Sequence, residues 1–245
     1  MRTLPARAET FPFDPAGLHA VLFAHYGPSH WWPGETPFEV MVGAVLTQNT
    51  AWRNVEKAIA NLKASSLLSV EGIHGLSPEE LARLIRPAGY YNVKAARLKN
   101  LVTLITRDFG ASLERLFMLS DSDLRLALLG VNGIGRETAD SICCYAANRL
   151  VFVVDAYTKR ILSRHGVIGP GADYEEVRAL FEGSLPRNLG VYKDLHAHLV
   201  YVGKDYCRAK RVRCGDCPLG GPGCLPIPAG DGSLRPQAGA PGSPE

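Results

Sequence analysis

No apolar run in the sequence approaches the ~20 residues of a membrane-spanning helix. The N-terminal stretch carries Arg2, Arg7 and Glu9 without an apolar h-region, so no signal peptide is expected. Strand patterns are scarce: Val151-Phe152-Val153-Val154 is the one β-like run, and four residues build no sheet. Repeats of solenoid length are missing. A net charge of +3 is too small to reveal a polyanionic partner by itself, so the placement of charge carries more weight than its sum. With 46% hydrophobic and 21% charged residues, the composition is that of a globular chain. A chain of 245 residues buries about three-quarters of its unfolded surface and needs no disulfide to stay folded.

The six cysteines are unevenly placed. Cys143 and Cys144 adjoin within an apolar helical pattern and read as small core residues. Cys207, Cys214, Cys217 and Cys224 fall within 18 residues in the pattern C-x6-C-x2-C-x6-C. A large unsecreted chain has little reason to place two disulfides in so short a loop. Four thiolates this dense suit a metal or iron–sulfur site, and the spacing alone leaves structural zinc open.

What the sequence has in abundance is helical periodicity. Asp14-Pro15 is an N-cap followed by proline, leading to Leu18, Val21 and Leu22. Thr36-Pro37 opens a second helix with Phe38, Met41, Val42, Val45 and Leu46 on one face. Thr50 is expected to cap a third. Ser77-Pro78-Glu79-Glu80 is a capping box. Asn92, Ser120 and Arg136 open further helices, and Asp155, Asp173 and Asn188 cap three more. The fold class is all-α. Residues 226–245, rich in proline and glycine without an apolar period, are expected to be a disordered tail.

Three further features carry chemistry. Leu129-Gly130-Val131-Asn132-Gly133-Ile134-Gly135-Arg136 joins two helical patterns. The glycines permit close backbone approach, Ile134 packs inward, and the N–H groups at the next helix start suit a phosphate. These are the mechanics of a helix-hairpin-helix grip on a DNA backbone. Asp155 follows a buried run and begins a helix; it reads as an N-cap, and in a cleft its carboxylate could stabilise a cationic sugar transition state or orient a water. Arg208, Lys210, Arg211 and Arg213, between two of the cysteines, suit phosphate contacts. Lys94, Arg97 and Lys99 read as a wet helix face. His196 and His198 are two apart on one helix and face different ways, so they form no ligand pair.

Leu46-Thr47-Gln48-Asn49-Thr50, the hairpin at 130–136, Val154-Asp155 and the four cysteines, in this order, resemble the endonuclease III superfamily of helix-hairpin-helix DNA glycosylases across residues 11–224. The resemblance implies a six-helix barrel at 36–148 and a cluster domain built from 11–35 and 149–225. Double-stranded DNA would lie in the groove between them with the damaged base flipped out. It implies a 4Fe–4S cluster on Cys207, Cys214, Cys217 and Cys224, with zinc as the alternative; the last gap is six residues where the family usually has five. Gly133, Ile134, Gly135 and Arg136 would bind DNA. The protein is expected to be an intracellular monomer with no membrane partner.

Two details narrow the resemblance. The family's bifunctional members attack the sugar with a lysine after the hairpin's basic residue; this chain has Glu137, which forms no Schiff base. Trp31-Trp32-Pro33, Gln48-Asn49-Thr50, Gly89-Tyr90-Tyr91-Asn92 and Gly133-Ile134-Gly135-Arg136-Glu137 resemble the endonuclease III-like 3-methyladenine DNA glycosylases. That branch implies an alkylated base held between Trp32 with Pro33 on one side and Trp52 on the other. Gln48 would fill the hole left by the base, and Asp155 would drive monofunctional hydrolysis. The alternatives are an oxidised-pyrimidine glycosylase with lyase activity through another amine, and a damage-binding protein with little catalysis. Lys159, one turn after Asp155, could face the same cleft as a catalytic amine.

Overall fold

The computed structural model describes residues 13–169 and 171–220. Cys224 and the expected tail at 226–245 lie outside the described residues. Local signals start most helices. α1 (Pro15–Tyr26) and α2 (Pro37–Leu46) each begin on proline behind a capping side chain, Asp14 or Thr36. α3 (Trp52–Ala64) starts one residue later than Thr50 would cap, so its N-cap is Ala51, which has no capping side chain; the Thr50 hydroxyl donates to Ala88 O at 2.6 Å. α4 (Val70–Gly75) and α5 (Pro78–Leu84) follow, α5 with the capping box between Ser77 and Glu80. α6 (Tyr91–Phe109), α7 (Leu113–Phe117) and α8 (Asp121–Leu129) lead to the hairpin. α9 (Arg136–Ser141) runs on as a π turn over Ile142–Ala146. α10 (Ala156–Arg164), α11 (Tyr174–Glu182) and α12 (Leu189–Asp205) begin on the Asp155, Asp173 and Asn188 caps. The all-α expectation holds: among the described residues there is no strand, only an isolated bridge between Cys207 and Val212.

The apolar faces sort into two cores. Helices α2 to α9 contribute Met41, Val45, Leu98, Leu101 and Ile142 to one; α1 and α10 to α12 contribute Leu18, Leu22, Leu162, Phe181 and Leu195 to the other. The run before Asp155 stitches them together. Successive side chains of an extended segment point to opposite sides. Val151 and Val153 accordingly enter the first core, and Phe152 and Val154 the second. Asp155 therefore emerges at the seam. A charge network reinforces that seam: the fully buried Asp140 of α9 takes Arg125 Nε at 2.6 Å, and Arg125 also reaches Glu175 of α11 at 2.7 Å. Such a pair holds because both carboxylate oxygens are satisfied by the guanidinium fork.

The basic residues of α6 are not a wet face. Lys94 is 1% exposed, and its ammonium donates to Leu46 O, Ala88 O and Thr50 Oγ1 at 2.9, 2.8 and 2.5 Å. Desolvation, then the nearby Arg97 charge, lowers its pKa to about 8. Lys99 donates to the carbonyls of Ile73, His74 and Leu76. The physical reason is that α2 and α4 end in carbonyls lacking partners within their own helix.

Candidate active site

A cleft of about 830 Å³ opens at the seam. The α2–α3 turn and α9 form one wall, with Thr47, Asn49, Trp52 and Glu137; α10 and α12 form the other, with Asp155, Tyr157, His196 and Lys204. Asp155 is 8% exposed and fills two roles at once. Its Oδ1 accepts the Thr158 N–H at 2.7 Å as an N-cap, while Oδ2 lies 3.7 Å from His196 Nε2. Glu137 shares the cleft. Protein packed around it, and secondarily the Asp155 charge, pushes its carboxyl up to about 7, although solvent reaches the side chain. A carboxyl whose proton affinity is raised by its surroundings, sharing a cleft with a second carboxyl group, is a recurrent arrangement for acid–base work.

The hairpin is built as its sequence suggests. Ile134 is 5% exposed in the first core. Gly133 has φ +94°, and a Cβ there would fall 2.2 Å from Arg97 Cγ. Two neighbours are engaged within the protein. Gln48 does not line the cleft: its amide nitrogen donates to Gly133 O at 3.2 Å and Thr138 Oγ1 at 2.9 Å, and its oxygen accepts from Arg97. It braces the hairpin. The left-handed backbone at Asn49, φ +53°, turns the chain so that Asn49 lines the cleft instead. Arg136 is ion-paired across the seam with Asp173 at 2.8 Å and Glu175 at 3.6 Å, so it ties α9 to α11.

The tryptophans cluster rather than face each other. Trp32 and Trp52 have ring centroids 5.4 Å apart with planes at 86°, in edge-to-face contact. No ring-width slot lies between them, since a sandwiched base needs about 3.5 Å on each face. Both indoles rest on α2 where Gly43 has no side chain, and a Cβ there would sit 3.1 Å from Trp32 Nε1. Trp31 joins them at 6.2 Å from Trp52, with the Lys204 ammonium 5.5 Å from its ring. Pro33 is not among the residues lining the cleft.

The basic loop is clamped from α10. Arg160 donates to Cys207 O at 2.8 Å and Gly203 O at 3.1 Å; Arg164 donates to Arg208 O and Ala209 O at 2.8 and 2.9 Å. Arg208, Lys210, Arg211 and Arg213 are exposed, and Arg208 lines the cleft. Arg213 pairs with Asp216 at 2.9 Å, which offsets its charge. Lys159 turns away, donating to Ala172 O at 2.9 Å, and does not line the cleft. Cys143 and Cys144 are buried, and desolvation pushes both thiols up to about 12.

Three of the four clustered cysteines are described. Arg164 donates to Cys207 Sγ at 3.2 Å, and the Leu219 N–H to Cys217 Sγ at 3.4 Å. Donors aimed at sulfur suit thiolate ligands. Among the described residues no three Cys, His, Asp or Glu side chains converge to hold a metal ion; the expected fourth ligand, Cys224, is outside them.

Hairpin, seam cleft and N-capping aspartate together define an all-α protein of the helix-hairpin-helix class with a polar cleft between two cores. Residues 42–187 match the model of the HhH-GPD superfamily base excision DNA repair proteins, and the chain belongs to that family. It is 49% identical over 205 residues to the "Putative DNA repair glycosylase" of Methanocaldococcus jannaschii, covering 82% of this chain and 92% of that protein. The solved structure of the H. pylori 3-methyladenine DNA glycosylase bound to 1,N6-ethenoadenine is similar, with TM-score 0.67 and 31% identity over 77% of this chain and 97% of that one. A trapped endonuclease III–DNA covalent intermediate has TM-score 0.71 at 21% identity over 82% and 90% of the two chains, a likeness of fold alone. Sequence reasoning assigned no role to Asn49, although it stands within a quoted motif, read His196 only as forming no ligand pair, and passed over Arg160 and Arg164, whose partners lie more than 40 residues away.

Proposed function

We propose that this base excision repair glycosylase is monofunctional and hydrolyses the N-glycosidic bond of alkylated purines in double-stranded DNA. The observation that carries the reading is that Asp155 shares its cleft with Glu137, where a lyase would carry its amine, and with three indoles. The first core would be the barrel at 36–148, and the second the cluster domain from 11–35 and 149–225. Gly133 and Gly135 hold the backbone and Asn49 enters the gap in the duplex, while Gln48 keeps the hairpin rigid. N-alkylation makes a purine cationic, and electron-rich indoles attract a cation. Such a base departs neutral, so its loss needs little acid assistance. Asp155 stabilises the oxocarbenium-like sugar and takes the proton of the attacking water.

Cys207, Cys214, Cys217 and Cys224 would hold a 4Fe–4S cluster. Such a group supplies covalent cross-links that fix the loop carrying Arg208 and Arg211. The lyase alternative has one observation in its favour: Lys204 lines the cleft, and the protein around it lowers its pKa. The test is a panel of lesion duplexes, with products resolved before and after alkali. Alkylated purine should be released, leaving an intact abasic strand, with no borohydride-trapped adduct and no release by Asp155→Asn. Nicking without alkali that disappears in Lys204→Gln would replace this reading with the lyase.

A further inference from the structure

We infer that His196 holds the hydrolytic water against Asp155, an inference that rests on the hydrolytic reading above. His196 lies on α12, is 4% exposed and lines the cleft. Its Nε2 has no hydrogen-bond partner in the protein and sits 3.7 Å from Asp155 Oδ2. The other Asp155 oxygen is engaged by the Thr158 N–H, so Oδ2 is the oxygen left for chemistry. At 3.7 Å the two side chains are too far apart for a direct hydrogen bond. One water that accepts from the imidazole and donates to the carboxylate would bridge them.

The hydrogen-bond network assigns the proton needed for this role. His196 Nδ1 is 2.6 Å from the Tyr145 hydroxyl, which is also 3.3 Å from Lys193 O. The phenol has one proton to give. Given to Nδ1, at the shorter distance, it leaves Nε2 as the N–H on the side of the ring nearest Oδ2. Given to Lys193 O, it would turn the Nε2 lone pair towards a carboxylate, which is repulsive. Burial lowers the imidazole pKa, against the raising effect of Asp155, so the ring carries one proton.

The water oxygen thus faces the sugar with one hydrogen committed to Asp155. As the C1′–N bond breaks, its electron pair leaves with the base, which departs neutral if it was cationic. The water oxygen bonds to C1′, one hydrogen passes to Asp155 Oδ2, and the other remains on the new C1′ hydroxyl. His196 donates throughout and keeps its proton.

The test is single-turnover base release from an alkylated duplex. His196→Leu should slow release about 10- to 100-fold, the loss expected from a misplaced reactant. Affinity for an abasic duplex should stay within about twofold. His196→Gln, which restores an N–H near the Nε2 position, should recover most of the rate. A folded His196→Leu releasing base at the wild-type rate, beside an inactive Asp155→Asn, would overturn the inference and leave the hydrolytic reading standing. Equal release by Asp155→Asn and wild type would remove the hydrolytic reading itself. Nitrogen NMR of the histidines needs neither activity nor a variant: His196 should be the Nε2–H tautomer, and an Nδ1–H tautomer would refute the water-holding role.

Discussion

The two glycines of the hairpin should fail in different ways when given a methyl group. At Gly133, φ is +94°, a conformation that costs an L-residue about 1–3 kcal/mol. The methyl would also fall 2.2 Å from Arg97 Cγ and 2.8 Å from Cδ. Those atoms belong to the stem of the side chain, so the whole arginine must swing away and release Gln48 Oε1. A hydrogen bond to a charged group is worth about 1.5–3 kcal/mol, so Gly133→Ala should lose about 2.5–6 kcal/mol of the ~5–15 kcal/mol that holds a protein together. At Gly135, φ is −90° and a methyl meets nothing within 4 Å. Alanine is a slightly poorer N-cap than glycine but restricts the unfolded chain, so Gly135→Ala should change stability by less than about 0.5 kcal/mol. Its methyl would instead stand between the backbone N–H groups and a phosphate. Urea denaturation followed by circular dichroism measures the first effect, and fluorescence anisotropy on an undamaged duplex measures the second. A Gly133→Ala protein as stable as wild type would refute the bracing through Arg97. A Gly135→Ala protein binding DNA with wild-type affinity would refute the hairpin as the backbone grip.

Glu137 gives a pH signature. Its folded pKa near 7 stands above the ordinary 4.5, so between these values the folded protein binds more protons than the unfolded chain. Stability contributed at this site is therefore present at low pH and lost as pH rises through about 7. Ionisation also adds a negative charge near the DNA. Glu137→Gln should flatten both stability and duplex affinity between pH 5 and about 8; an unchanged slope in paired titrations would show that the carboxyl titrates lower. If iron–sulfur ligation is right, the purified protein should be yellow-brown, with broad absorbance near ~400 nm. A colourless protein with one equivalent of zinc would assign the four cysteines to zinc. Arg211→Glu should weaken all duplexes alike and lower the salt dependence by about one counterion, without altering which lesion is preferred. Arg213→Glu should do less, because Asp216 already offsets that charge; a larger effect from Arg213 would reverse their ranking.

The sequence by itself determined where most helices begin. The Asp14, Thr36, Ser77, Ser120, Asp155, Asp173 and Asn188 side chains each accept an N–H two or three residues ahead. Such caps are local contacts that need no knowledge of the rest of the chain. The buried, β-like character of the run 151–154 and the inward Ile134 were legible for the same reason. The short helices Val70–Gly75 and Leu113–Phe117 were not, since one or two turns carry too little periodicity to stand out. Tertiary structure decided which partner each versatile side chain takes. Thr50 falls one residue before the α3 N-cap and instead donates to Ala88 O, 38 residues away, and accepts from Lys94, 44 residues away. Gln48 was drawn to a hairpin 85 residues on, and Arg136 to Asp173 across the seam. His196 became a candidate only when α12 packed beside α10 and brought it to Asp155. A capping preference is settled among neighbours on one helix. The partner of a buried amine, amide or imidazole is settled by whichever unsatisfied group the packing of two cores brings within 3 Å or so, and spacing along the chain does not encode that meeting.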